Sequence, residues 1–180
     1  MNQVFMIPSL FQVPDGTLVA PFLNARDCMS GLPFNLLEGV SLALGGINPG
    51  VKSKIQIMPH VTQITYVLGG ILEVRMKGQD DQVPYSKSVR AREAVITEAG
   101  AFLQLINKTD QPCEVLYIVS PAYLFEMTGT EVVYDDSLVL DESWDDLQAA
   151  GWFIEKDLPT LAERQAVCER LARKSAAKQR

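Results

Sequence analysis

The sequence predicts an all-β domain, a sandwich or closed barrel of short strands, with a short helical tail. Three observations carry that reading. Helical periodicity is almost absent before residue 140, and short apolar or alternating runs recur between Gly, Pro, Asn and Asp turn signals. Two capping boxes then open helices near the C-terminus.

The strands are expected, in order, at 17–23, 40–44, 54–58, 64–68, 71–76, 94–97, 102–106 and 115–119, all rich in Val, Ile, Leu, Phe and Tyr. Gly69-Gly70 reads as a tight hairpin turn, since glycine tolerates positive φ. The run from Asn107 to Pro112 is a second turn, and the glycine-rich stretch from Gly45 to Gly50, which lacks the lysine and helix of a phosphate loop, reads as a third. Beyond Tyr134 the chain turns acidic. Ser143-Trp144-Asp145-Asp146 and Thr160-Leu161-Ala162-Glu163 start two helices, the second running to about Arg173 with Leu161, Cys168 and Leu171 as its apolar stripe. Trp144, Trp152 and Phe153 are expected to anchor the tail, and the acidic pairs Asp135-Asp136 and Asp145-Asp146 to face solvent. The expected organisation is a barrel domain over residues 1–134 and a helical extension over 135–180 packed on it.

At 180 residues, with 47% hydrophobic and 21% charged, the chain suits one globular domain with a sizeable core. No apolar run is long enough for a helical membrane span, and the N-terminus lacks the pattern of a signal peptide. The cysteines Cys28, Cys113 and Cys168 are odd in number and widely spaced, which fits a reducing cytoplasm better than a disulfide framework. A net charge of −6 opposes nonspecific attraction to nucleic acid. The expected partners are therefore a small-molecule ligand and a second copy in a homodimer. The apolar segment 1–11 would add a strand to the neighbour; neither nucleic acid nor membrane is expected.

The stretch from Gly50 to Gly70 resembles the first motif of the cupin superfamily, a glycine, His-x-His, a carboxylate and a closing glycine. Gly50, Gln56, Met58, Gln63 and Gly70 fall at those places, and Tyr66-Val67-Leu68-Gly69-Gly70 is similar to the family's Tyr-Val-Leu-x-Gly. Glu98-Ala99-Gly100, Leu103 and Asn107 take the places of the second motif. The resemblance covers about residues 40–125 and implies a double-stranded β-helix, the jelly-roll-like cupin barrel. It also implies that residues 56, 58, 63 and 103 would converge on a metal. Leucine cannot coordinate a cation, methionine is a soft ligand suited to Cu(I), and neutral amides bind Zn or Fe(II) weakly. The expectation is no resident cofactor, with a divalent metal as the alternative.

His60 is the sole histidine. If the 54–58 strand continued through Pro59 without a bulge, alternation would put residues 56, 58 and 60 on the barrel-facing side. His60 is then the candidate acid–base catalyst. Gln56, Met58, Gln63, Tyr66 and Tyr117 are the candidate substrate contacts, with Gln104 a further polar lining. The bland alternative keeps His60 at the mouth or satisfied by a glutamine. Gln104 faces the interior only if a one-residue slip exchanges it with Leu103, and that slip would also gather His60, Gln63 and Gln104 as an unusual metal set. Cys113, beside a turn and without a base, is a poor nucleophile.

Three functions remain. One is a cupin-like isomerase, lyase, dehydratase or oxygenase acting on a small polar metabolite. Another is a noncatalytic binding or accessory protein that has lost its metal. The third is a purely structural dimer.

Overall fold

The computed structural model describes residue 4, residues 6–24 and residues 39–178; Cys28 and most of the segment 1–5 lie outside the described residues. The strands are β1 (Phe11–Gln12), β2 (Leu18–Leu23), β3 (Ser41–Ile47), β4 (Ile55–Ile57), β5 (Thr62–Gly69), β6 (Ile71–Lys77), β7 (Tyr85–Arg90), β8 (Ala94–Thr97), β9 (Phe102–Ile106), β10 (Cys113–Ser120), β11 (Phe125–Thr128), β12 (Glu131–Asp135) and β13 (Leu138–Leu140). Helices α1 (Trp144–Ala149) and α2 (Leu161–Lys178) follow. Every strand expected from the sequence forms, β8 and β9 with the expected ends and the others with shifted ones.

Two antiparallel sheets face each other, one ordered β1-β2-β3-β10-β5-β8 and the other β13-β4-β9-β6-β7, with β11 and β12 as a separate hairpin. From β3 to β6 successive strands alternate between the sheets, the jelly-roll path. Gly69-Gly70 therefore does not close a hairpin as expected. β5 pairs with β10 and β8, whereas β6 pairs with β7 and β9. Gly70 takes φ +86°, and a Cβ there would lie 2.8 Å from the Pro112 carbonyl, so the corner between sheets requires glycine. The 107–112 turn is a matching corner. Asn107 Nδ2 donates to the carbonyls of Ile47 (2.9 Å) and Gln111 (2.8 Å), and its Oδ1 accepts from Thr109 N.

The glycine-rich stretch is a turn only at its end, because Gly45, Gly46 and Ile47 belong to β3. Side chains alternate along β5: Gln63, Thr65 and Val67 are buried between the sheets while Thr62, Ile64 and Tyr66 turn outward. Leu72 and Val74 of β6, Leu103 and Leu105 of β9, and Val115 and Val119 of β10 fill the interior. Burying each contributes about 1.5–3 kcal/mol.

Two elements escape the periodicity for stated reasons. β7 is polar and bonded only to β6, so Val89 alone among its side chains is buried. β13 is too short to read, yet it joins β4 and completes the second sheet beyond residue 134.

Both capping boxes form. Ser143 N donates to Asp146 Oδ2 (3.1 Å) and Asp146 N to Ser143 Oγ (3.2 Å); Thr160 N donates to Glu163 Oε2 (2.6 Å) and Glu163 N to Thr160 Oγ1 (3.2 Å). Trp144 and Trp152 pack with Phe102, Ile55 and Ile57 on the outer face of the second sheet, but Phe153 is exposed and anchors nothing. Leu161 is likewise exposed. The stripe of α2 is Arg164, Val167, Cys168 and Leu171, because in the first turn the barrel-facing position belongs to Arg164, paired with buried Asp136.

Candidate functional site

A cavity of about 440 Å³ opens between the sheets. Its walls are apolar side chains of β2, β3 and β10, namely Val19, Pro21, Ala43 and Val119, together with Met58. The 11–17 segment and the β11–β12 hairpin supply further walls through Phe11, Val13, Phe125, Met127 and Val132. Against them stand a few polar groups: Asp15, Gln56, Gln63, Tyr117, Tyr123, Asp135 and Ser137.

Each polar group is positioned by its element. Gln63 points inward from β5 and is 6% exposed, its Nε2 donating to Thr65 Oγ1 (3.1 Å). Gln56 comes from β4, paired with Leu103 and Val139. Tyr117 fits because β3 carries Ala43 opposite it and Gly45 opposite Val115; a Cβ at Gly45 would collide with the Tyr117 ring and with Val115. Burial, then the nearby Asp15 and Cys113, push the Tyr117 hydroxyl well above its ordinary range, so it stays protonated. Asp15 sits in a turn where Oδ1 accepts from Thr17 N (2.9 Å) and Thr17 Oγ1 (2.8 Å). Asp135, at the end of β12, repeats the arrangement: Oδ1 accepts from Ser137 N (3.0 Å) and from the Tyr123 hydroxyl, which lies 3.0 Å from Ser137 Oγ. Burial raises the Asp15 carboxyl against the lowering pull of its Thr17 bonds, and raises Asp135 against those from Tyr123 and Ser137.

The acidic pair Asp135-Asp136 is therefore not a solvated surface. Adjacent side chains diverge, so Asp135 lines the cavity while Asp136, fully buried, turns the other way to Arg164 (3.0 Å), Tyr134 Oη and Leu124 N. The expectation holds for Asp145 and Asp146, which are exposed.

Of the residues singled out from the sequence, the fold brings Gln56, Met58, Gln63 and Tyr117 to the cavity and leaves His60, Tyr66 and Gln104 away from it. β4 ends at Ile57 and the chain bends at Pro59-His60, which breaks the alternation that would have carried residue 60 inward. His60 Nε2 instead lies 2.7 Å from the Pro159 carbonyl, in the segment leading to α2. Tyr66 is on the outer face of β5. Gln104 keeps the unslipped register opposite Arg75 and faces away from the interior, donating to the Ser53 carbonyl (2.6 Å) and accepting from Trp144 Nε1 (2.7 Å). His60, Gln63 and Gln104 thus stand apart and form no metal set. Cys113 is buried and its thiol is pushed up to about 11, chiefly by burial, which removes it as a nucleophile.

No protein-family model and no curated protein matches the chain. Solved structures do. An oxalate oxidase matches at 28% identity and TM-score 0.50 over 59% of this chain and 52% of its own. The cupin domain of Drosophila melanogaster CENP-C matches at 15% identity and TM-score 0.50, over 62% of this chain and 70% of that one. The fold is that of the cupin superfamily. An oxalate decarboxylase from Lactobacillus farciminis, solved with formate, matches at 15% identity and TM-score 0.54 over 73% of this chain but 33% of its own. The chain thus spans about half the length of the oxidase and a third of that of the decarboxylase.

The cupin metal does not fit this donor set. Gln56, Met58 and Gln63 line the cavity at the metal positions but offer two neutral amides and a thioether, and Leu103 is core. Among the described residues no group of three or more His, Cys, Asp or Glu side chains is placed to hold an ion.

Proposed function

We propose that this cupin binds a small, largely apolar molecule in the barrel without a resident metal. The observation that supports this reading most is the cavity itself. It is open, mostly apolar and of ligand size, and amides, a thioether and a leucine occupy the places where the resemblance expects metal ligands. Oxalate oxidase is known with its substrate analogue glycolate. That kind of acidic substrate is not transferred to this chain: the described cavity lining contains Asp15 and Asp135 and no Lys, Arg or His to offset an anion.

One observation favours a catalytic version. Tyr123 donates to Asp135 beside the cavity, and burial raises the ordinary range of both groups, as in a pair that holds and passes a proton. The binding reading is tested by ligand-observed NMR against a library of neutral, anionic and cationic fragments, with Ala43→Phe, which fills the cavity from its β3 wall, as the blocked control. Hits that vanish in the variant support the reading, and a library without cavity-dependent hits overturns it.

A further inference from the structure

We infer that the cavity selects an amine: a ligand with an apolar body and a protonated nitrogen, seated between Asp15 and Asp135. The inference rests on the reading of the cavity as a ligand site and assigns its chemical class.

The argument begins with unused acceptors. Both hydrogen bonds to the Asp15 carboxylate end on Oδ1, and all those to Asp135 end on its Oδ1. Each turn thereby fixes one oxygen and leaves Oδ2 without a protein partner among the described residues. Asp15 is 5% exposed and Asp135 half-buried, and both line the cavity, so these oxygens are reached from the cavity rather than sealed in the core. Gln63 adds an independent instance, because its amide nitrogen is engaged with Thr65 while its Oε1 has no described partner. Acceptors that open onto a cavity take their donors from whatever fills it, water or a ligand. The described lining offers no cationic side chain to supply them. Tyr117 and Tyr123 add aromatic rings, whose faces attract a cation within about 6 Å of the centroid. Burial already holds both carboxyls above their ordinary range, a strain that an incoming ammonium would relieve. An alcohol donates a single hydrogen bond, and a carboxylate would meet two acids.

The test uses three probes with one skeleton, phenethylamine, phenethyl alcohol and phenylacetate, titrated calorimetrically into the full-length protein. The amine is expected to bind, with the alcohol weaker by roughly 10–100-fold and phenylacetate absent. Asp135→Asn retains an Oδ1 for Ser137 and Tyr123 but replaces the free Oδ2 by an amide donor; it should cost the amine roughly tenfold or more and the alcohol several-fold less than that, so that the preference for the amine shrinks. Asp15→Asn should act likewise and serves if the first variant misfolds. Alcohol binding as tight as amine binding, or a preference for phenylacetate, would overturn the amine while leaving the ligand site standing. If none of the three binds while neutral library fragments occupy the cavity, the amine again falls alone; if no fragment does, both readings fall.

Discussion

Replacing Arg164 with leucine removes the guanidinium that ties α2 to the barrel behind the cavity. Its Nε donates to Asp136 Oδ1 at 3.0 Å and its Nη2 to the Ala122 carbonyl at 2.7 Å; the side chains are 9% and 0% exposed. Breaking a buried ion pair from one side costs about 3–5 kcal/mol, because the remaining charge is left in a medium that solvates it poorly. Tyr134 Oη and Leu124 N still serve the carboxylate, so the lower end, about 3 kcal/mol, applies. For a chain of this size that corresponds to a fall in Tm of roughly 6–12 °C. The pH dependence gives the deficit a signature. Burial raises the Asp136 carboxyl above its ordinary range, with Arg164 pulling it back. A carboxyl whose folded pKa exceeds its unfolded one binds more protons when folded, so stability is lost as pH rises from the unfolded pKa through the folded one. Without Arg164 the folded value climbs further, and the penalty is felt once Asp136 must ionise. The gap between wild type and variant should therefore be widest near about pH 7 and narrow toward about pH 4. Calorimetric melting across that range checks it, and Asp136→Asn in the Arg164→Leu background should recover part of the loss. A variant melting within about 2 °C of wild type, or a deficit that does not change with pH, would refute the reasoning.

Gly45→Val should press its Cβ into the Tyr117 ring and Val115 and cost about 1–3 kcal/mol by overpacking, as melting would report. His60→Ala should leave cavity binding unchanged and cost about 1 kcal/mol at most, since among the described residues the ring bonds the Pro159 carbonyl alone; lost binding would restore His60 to the site. Trp144→Phe leaves the buried Gln104 Oε1 unpaired and should cost about 1–3 kcal/mol in denaturant unfolding. The homodimer stands as a proposal. β1 already pairs with β2 of its own chain, so the segment before Phe11 would have to carry any exchange, and a monomer mass in light scattering at micromolar concentration would rule the dimer out.

The sheets were legible because their strands carry the apolar alternation that burial between two sheets demands, as in Leu72-Glu73-Val74-Arg75-Met76. Gln56, Met58 and Gln63 came from the resemblance of the Gly50–Gly70 stretch to the cupin motif, whose ligand places they occupy. The rest of the site was hidden for physical reasons. Asp15 and Asp135 occur in Asp-x-Thr and Asp-x-Ser turns, patterns that ordinarily sit in solvent; only the long-range closure of the 11–17 segment and the β11–β12 hairpin over the barrel brings them inside. The repeat of that turn was the available signal. His60 misled because alternation is valid only while a strand continues, and Pro59 ended it. The Asp136–Arg164 pair joins residues far apart in sequence, and no local pattern encodes it.

The central claim, a cupin barrel that takes its ligand without a metal, is tested most directly by titrating phenethylamine, or the strongest fragment from the library, into protein stripped with a chelator and verified by elemental analysis. The account predicts the same affinity before and after stripping, and no gain on adding back Mn, Fe, Ni, Cu or Zn. Binding that disappears with a stoichiometric metal and returns with it would contradict the account.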